Sequence, residues 1–229
     1  MEILSYVDTH CHLDEVITRL KAGSFNALKT KYIEAVTKPG GFAKSNLNPI
    51  FESCIAQFCD PAAYSPSLRM WPDLLEHSEV FAAFGLHPHS AKYYVDSLEE
   101  RILEAAAHSK CVAIGECGLD YHHNQSPRDV QIRVFRRQVE LALALNKPIV
   151  IHSRNAEEDT LTVLCECIPR ECSSHPIHMH CYSGSKVFTE ELLRLYPGMQ
   201  NTAILYYYSH STTLNHAEYG TVLSSMLQV

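Results

Sequence analysis

The 229 residues leave room for one large domain, and a composition 46% apolar and 20% charged excludes disorder as the main state, since enough apolar surface exists to offset chain entropy. No run of about 18 apolar residues occurs, which excludes a membrane-spanning helix, and Met1-Glu2-Ile3-Leu4-Ser5-Tyr6 has neither the basic start nor the apolar core of an export signal. The net charge of −7 has the wrong sign for gripping a polyanion by bulk electrostatics, although metal ions bound at one place would reverse the sign locally.

Short β-rich runs alternate with helical patterns, which points to βα units and a parallel sheet. The first strand is expected at Tyr6–His10. Residues 20–49 read as extended first loops, with 38–49 loop-like by composition. A second strand is expected at Ile50–Phe58 and a third at Val80–Leu86. A helix then opens at Ser97, with Glu100 at capping-box spacing. A fourth strand is expected at Val112–Glu116. The next helix opens with Ser126-Pro127 and Asp129, a capping residue followed by proline at the first helical position. Its apolar set Ile132, Phe135, Val139, Ala142 and Leu143 falls on one face, and Asn146-Lys147-Pro148 stops it. Strands follow at Ile149–His152, Ile177–His180 and Thr202–Tyr207. The strand runs are almost continuously apolar, as in strands buried on both faces. Nine cysteines, an odd number without a C-x-x-C pair, read as free thiols of an intracellular compartment, cytoplasmic or nuclear.

The polar residues gather where these strands end. The first runs into Asp8-Thr9-His10-Cys11-His12, the third into Gly85-Leu86-His87-Pro88-His89, and the fourth into Gly115-Glu116-Cys117-Gly118-Leu119-Asp120. The fifth runs into His152-Ser153-Arg154, and the sixth into His178-Met179-His180-Cys181-Tyr182-Ser183-Gly184. In a (β/α)8 barrel such ends converge on one mouth. Residues two apart on an extended segment face the same way, so His10 pairs with His12 and His178 with His180. Neutral imidazoles plus a carboxylate suit a borderline divalent ion. His77, His108, His175, His210 and His216 lack this context and read as surface or incidental. Arg128, Arg133, Arg136 and Arg137 form a basic stripe whose plain reading is a solvated helix face.

These blocks, taken in order, resemble the TatD family of metal-dependent deoxyribonucleases within the amidohydrolase-type barrels. The resemblance runs from about Tyr6 to about Tyr208. It implies an α/β chain of (β/α)8 TIM-barrel type and a two-metal phosphodiesterase with DNA, or RNA, as substrate. His10 and His12 match the ligands of one metal, Glu116 the carboxylate bridging two, and His152 and His180 the ligands of the second. The ions themselves would be Mg²⁺, Mn²⁺ or Zn²⁺. Glu116, His87 and Arg154 are the residues implied for catalysis. Asp8, Asp120, His178 and Ser183 are implied to line the substrate pocket or support the ligands.

The chain departs from that pattern at one place. The family carries a metal-binding Asp on an eighth strand, and here no Asp follows Asp159. A barrel of this type typically takes about 250 residues. The expectation is therefore a single domain over residues 1–229, C-terminally shortened, with about seven βα units and an exposed barrel edge open to self-association. Three readings stand: a metal-dependent nuclease, a shortened and catalytically weak or inactive relative, and a superfamily hydrolase with another substrate.

Overall fold

In the computed structural model, residues 5–37, 50–181 and 184–197 are described. In chain order they form β1 (Ser5–Cys11), α1 (Leu13–Arg19), α2 (Phe25–Thr37), β2 (Ile50–Phe58), α3 (Met70–Leu75), β3 (Val80–Phe84) and α4 (Asp96–Ala106). They continue with β4 (Cys111–Asp120), α5 (Arg128–Ala144), β5 (Ile149–Arg154), α6 (Glu157–Cys167), β6 (Ile177–Met179) and α7 (Lys186–Leu195). Short 3-10 turns lie at Pro61–Tyr64, Pro88–Tyr93 and Arg170–Cys172. The six strands are all parallel and neighbour one another in sequence order, the connectivity of a (β/α) barrel wall.

Strand alternation divides the core. Phe58, Phe84, Ile114, Ile149, Ile151, Ile177 and Met179 pack outward against helix residues such as Ile102, Phe135, Val139, Leu164 and Leu192. Each fully buried Phe or Ile contributes about 1.5–3 kcal/mol. The opposite parity forms a smaller cluster of Ile55, Ala83, Ala113 and Val150 on the inner face. His178 pairs in register with Val150 and so belongs to this inner side.

Most expected elements occur, with shifted ends. Strand β2 has the expected bounds, β3 stops at Phe84 rather than Leu86, and β6 stops at Met179 rather than His180. Strand β4 runs four residues beyond Glu116, to Asp120. Residues 20–49 are not wholly loop, since α2 occupies Phe25–Thr37; residues 38–49 and the strand expected at Thr202–Tyr207 lie outside the described residues.

Both expected helix caps differ from the structure. Helix α4 begins one residue before Ser97, where the extended Val95 supplies the first carbonyl, and no side chain caps it. Ser126 does not cap α5, because its hydroxyl is already committed: it donates to the His89 carbonyl at 2.8 Å and accepts from the Lys92 N–H at 3.1 Å. The stop of α5 is as the sequence suggests, with a physical detail added. Asn146 takes φ +48°, its N–H donates to Leu143 O, and the Lys147 N–H donates to Ala142 O, which completes a Schellman end before Pro148.

Helix α2 is tied to the turn before β3 by Lys29 Nζ on Glu79 Oε1 at 2.6 Å. That contact holds the Glu79 carboxyl down at about 2. A lowered carboxylate pKa stabilises the fold above the unfolded value of about 4.3 and ceases to do so as pH falls toward 2. Since the pair is solvated, its contribution is about 0.5–1 kcal/mol. Urea midpoints at pH 7 and pH 3 should therefore fall further for the wild type than for Glu79→Gln; parallel falls would remove this role.

Candidate functional site

The local shape of β4 decides what faces the inner side. Between the pairs Ile114↔Ile149 and Cys117↔Ile151, β4 advances three residues while β5 advances two. That is one extra residue, a bulge. Strict alternation from Ala113 would put Glu116 on the helix side with Ile114. After the bulge Cys117 and Leu119 face the helices, and Glu116 and Asp120 turn inward. Gly115 and Gly118, with φ +137° and +138°, make this possible, because a Cβ on either would meet the β5 backbone, at Val150 O (2.5 Å) and His152 O (2.0 Å) respectively.

Glu116 is 1% exposed and carries ring nitrogens on both oxygens. His10 Nε2 (3.2 Å) and His12 Nε2 (3.3 Å) face Oε2. His180 Nε2 (2.5 Å), His152 Nδ1 (2.9 Å) and His87 Nε2 (3.4 Å) face Oε1. His10 stacks on His180 with ring centroids 4.1 Å apart, and His178 meets His10 edge-on at 6.2 Å. The structure thus brings together His10, His12, His87, Glu116, His152, His178 and His180.

The electrostatics favour an ionised carboxylate with a divided ring set: contact with Glu116 raises His12, and although burial would lower His180, contacts with Cys181 and Glu116 raise it to about 9, while other rings are lowered. Burial alone would raise the Glu116 carboxyl, but the close approach of the His10, His12, His152 and His180 rings outweighs it and holds the group well below the usual range. Burial lowers His10 and His87, and it pushes His178 down to about 3 with help from His10 and His180. His87 Nδ1 accepts the His89 N–H, so in the neutral ring Nε2 carries the proton.

This chemistry fits a divalent cation. Five imidazole nitrogens crowd a carboxylate that has about four lone-pair sites. Among the described residues, both nitrogens of His10, Nδ1 of His180 and Oε2 of Glu116 are buried without a hydrogen-bond partner. Neutral imidazoles with free lone pairs are the form that binds metal. His10, Glu116 and His180 form one group of mutually close ligand atoms, and His87, Glu116 and His152 form another.

The remaining expected residues are placed variously. Asp120 lies in a neighbouring cluster, with Oδ2 3.2 Å from His152 Nε2. Arg154 is exposed at the end of β5, and its guanidinium makes no hydrogen bond or ion pair among the described residues. Asp8 is not drawn into the cluster; its carboxylate accepts the His10 N–H at 3.1 Å, beside the ligand set rather than within it. Ser183 lies outside the described residues.

Three neighbours escaped the sequence reading as site members. His89 and His123 flank Asp120, and the buried Cys59 stands with His12 and Glu116. A cysteine directly after β2 and a histidine pair directly after β4 were the available signals, since both follow strand ends. His175 is buried rather than on the surface. Half of the basic stripe is neutralised: Arg137 bridges to Glu99 and Arg136 to Glu166, while Arg128 lies over the Tyr121 ring at 4.3 Å.

The chain is similar to several known proteins. The chain is 41% identical over 207 residues to the 3'-5' RNA nuclease TATDN2 of Homo sapiens, covering 89% of this chain and 25% of that one. It is 42% identical over 125 residues to the uncharacterized metal-dependent hydrolase YabD of Bacillus subtilis, covering 52% and 46%. It is 35% identical over 111 residues to the 3'-5' ssDNA/RNA exonuclease TatD of Escherichia coli, covering 48% and 42%. The chain therefore spans a quarter to under half the length of these relatives. In fold it resembles the solved structure of the TatD homolog YjjV of Escherichia coli, with a TM-score of 0.62 at 22% identity over 83% of this chain and 65% of that one. No helix among the described residues is long and apolar enough to cross a membrane. The model of the family described as TatD related DNase matches residues 7–217, and the chain belongs to that family.

Proposed function

We propose that the chain is a metal-dependent phosphodiesterase that hydrolyses single-stranded nucleic acid from an end. The observation that carries this is the buried Glu116 carboxylate with imidazole nitrogens crowding each of its oxygens. His10, His12, Glu116, His152 and His180 would hold the cations. Bound Mg²⁺, Mn²⁺ or Zn²⁺ would supply an activated water and charge stabilisation at the phosphoryl oxygens.

The chain's own residues do the rest. Arg154 offers a planar fork to two phosphate oxygens, which explains a guanidinium left open at the mouth. His87 carries its Nε2–H beside Glu116 Oε1, at 3.4 Å, and would give it to a phosphate oxygen bound there. Asp120 orients His152 through the Nε2 contact of 3.2 Å, the relation by which a carboxylate fixes a ligating ring. Substrate attraction is local, in keeping with the net charge of −7. The names of the relatives, a 3'-5' RNA nuclease and a 3'-5' ssDNA/RNA exonuclease, support a single strand attacked from its 3' end. All nine cysteines are free, which supports a reducing, intracellular setting.

A second reading is a weakly active or inactive member of the family, since the crowded ligand set alone accounts for cation binding without turnover. One assay separates the two. End-labelled single-stranded RNA and DNA are incubated with the chain and Mg²⁺, Mn²⁺ or Zn²⁺, beside His10→Ala. The nuclease reading expects released nucleotides and a loss of about 10²-fold or more in the variant. Cation binding without release in either would establish the second reading. Hydrolysis of a small ester or lactone alone would move the substrate class.

A further inference from the structure

We propose that His89, Asp120 and His123 form a separate divalent-cation site beside the Glu116 centre. Asp120 ends β4 on the inner side, where its carboxylate is 1% exposed. Its Oδ1 accepts two backbone N–H groups, from His122 at 3.0 Å and His123 at 2.9 Å. Its Oδ2 faces three ring nitrogens: His89 Nε2 at 2.8 Å, His123 Nδ1 at 3.0 Å and His152 Nε2 at 3.2 Å. Five nitrogens again surround a carboxylate with about four lone-pair sites. As hydrogen bonds alone the set is oversubscribed.

A cation removes the conflict. Bound to one lone pair of Oδ2, it would take the lone pairs of His89 Nε2 and His123 Nδ1, atoms lying with Oδ2 within 4.8 Å of one another. His152 Nε2–H keeps the other lone pair of Oδ2. Two imidazoles and one carboxylate on a single side suit Zn²⁺, Co²⁺ or Fe²⁺ and leave positions open on the other. That other side is wet, since the His123 side chain is 43% exposed and that of His89 25%. Water or a phosphate oxygen can complete the shell there.

The set is also held in place before any ion arrives. The backbone N–H groups of His122 and His123 fix Asp120. Ser126 Oγ donates to the His89 carbonyl and accepts the Lys92 N–H, so the turn carrying His89 is clasped to the loop carrying His123. His152 links the two carboxylates, presenting Nδ1 to Glu116 and Nε2 to Asp120. A cation on Asp120 thus draws on the group that orients His152, and its occupancy tunes the neighbouring centre.

The experiment counts ions rather than turnover, so it stands whether or not the chain cleaves nucleic acid. Metal-free full chain is titrated with Co²⁺, followed by its visible ligand-field spectrum and by equilibrium dialysis. His123→Ala should bind one equivalent fewer than the wild type, and His123→Asp should restore it. In His10→Ala/His12→Ala, the remaining equivalents should still fall by one when His123→Ala is added. A His123→Ala chain that binds as much Co²⁺ as the wild type, with the same spectrum, would overturn the site.

Discussion

Glu116→Gln is expected to abolish nucleic-acid hydrolysis, by at least about 10³-fold, while the chain still folds. The amide matches the carboxylate in shape but exchanges one acceptor oxygen for a nitrogen with two donors. Whichever way the amide turns, that nitrogen must face either His10 and His12 or His152 and His180, which sit on opposite oxygens of Glu116. One half of the proposed ligand set would therefore be lost outright, and with it the negative charge that would attract cations. Nucleotide release and Mn²⁺ binding by calorimetry, with near-ultraviolet circular dichroism to check the fold, measure both. A variant within tenfold of the wild type in release would show that Glu116 does not sit between the working ions.

The same carboxylate marks the border of what the sequence discloses. The blocks around His10, Glu116, His152 and His180 are legible because each ends a β-rich run, and parallel strands all end on one side. Periodicity alone would have misplaced Glu116, since alternation from Ala113 points it at the helices; the bulge that turns it inward is a property of the β4–β5 register. The cap at Ser126 is misread for a related reason. A serine before a proline suits a helix start, yet tertiary partners at His89 and Lys92 claim its hydroxyl. His89, His123 and Cys59 sit on connections whose course no periodic signal describes, so their approach to Asp120 and Glu116 emerges only in three dimensions. The basic stripe on α5 is legible as a solvated face, because its arginines lie opposite the buried Phe135 and Val139 and find Glu99 and Glu166.

Net charge and local charge also part company. Carboxylates outnumber cationic side chains in the chain as a whole. Yet the mouth gathers seven of its fourteen histidines, His10, His12, His87, His89, His123, His152 and His180, around two buried carboxylates. With neutral rings such a mouth carries the negative charge of its two carboxylates, and it turns positive once two divalent cations enter. Binding of a polyanion should then depend on divalent ions more steeply than on the exposed arginines.

Gly118→Ala should be the most disruptive single methyl in the described fold. Its Cβ would stand 2.0 Å from the His152 carbonyl oxygen and 2.9 Å from the His152 carbonyl carbon, both backbone atoms that no rotamer change can move. The backbone at φ +138° adds strain of its own for an L side chain. Overpacking costs about 1–3 kcal/mol and such a backbone about as much again, so the sum is about 2–6 kcal/mol, or a fall of about 10 °C in Tm. Gly23→Ala separates the two contributions, because Gly23 has φ +77° with nothing within 4 Å of the added Cβ. It should lose only the milder left-handed strain of about 1 kcal/mol, about 2–4 °C. The collision also has a direction. Relief requires β5 to retreat from β4 at His152, the residue that links Glu116 and Asp120. A retreat of about 1 Å is enough to cost about 10²-fold in activity. Gly118→Ala should therefore lose both melting temperature and cation affinity, and Gly23→Ala only a little of the first. Equal melting temperatures for the two variants would mean that the close approach of β4 to β5 is not what the glycine serves.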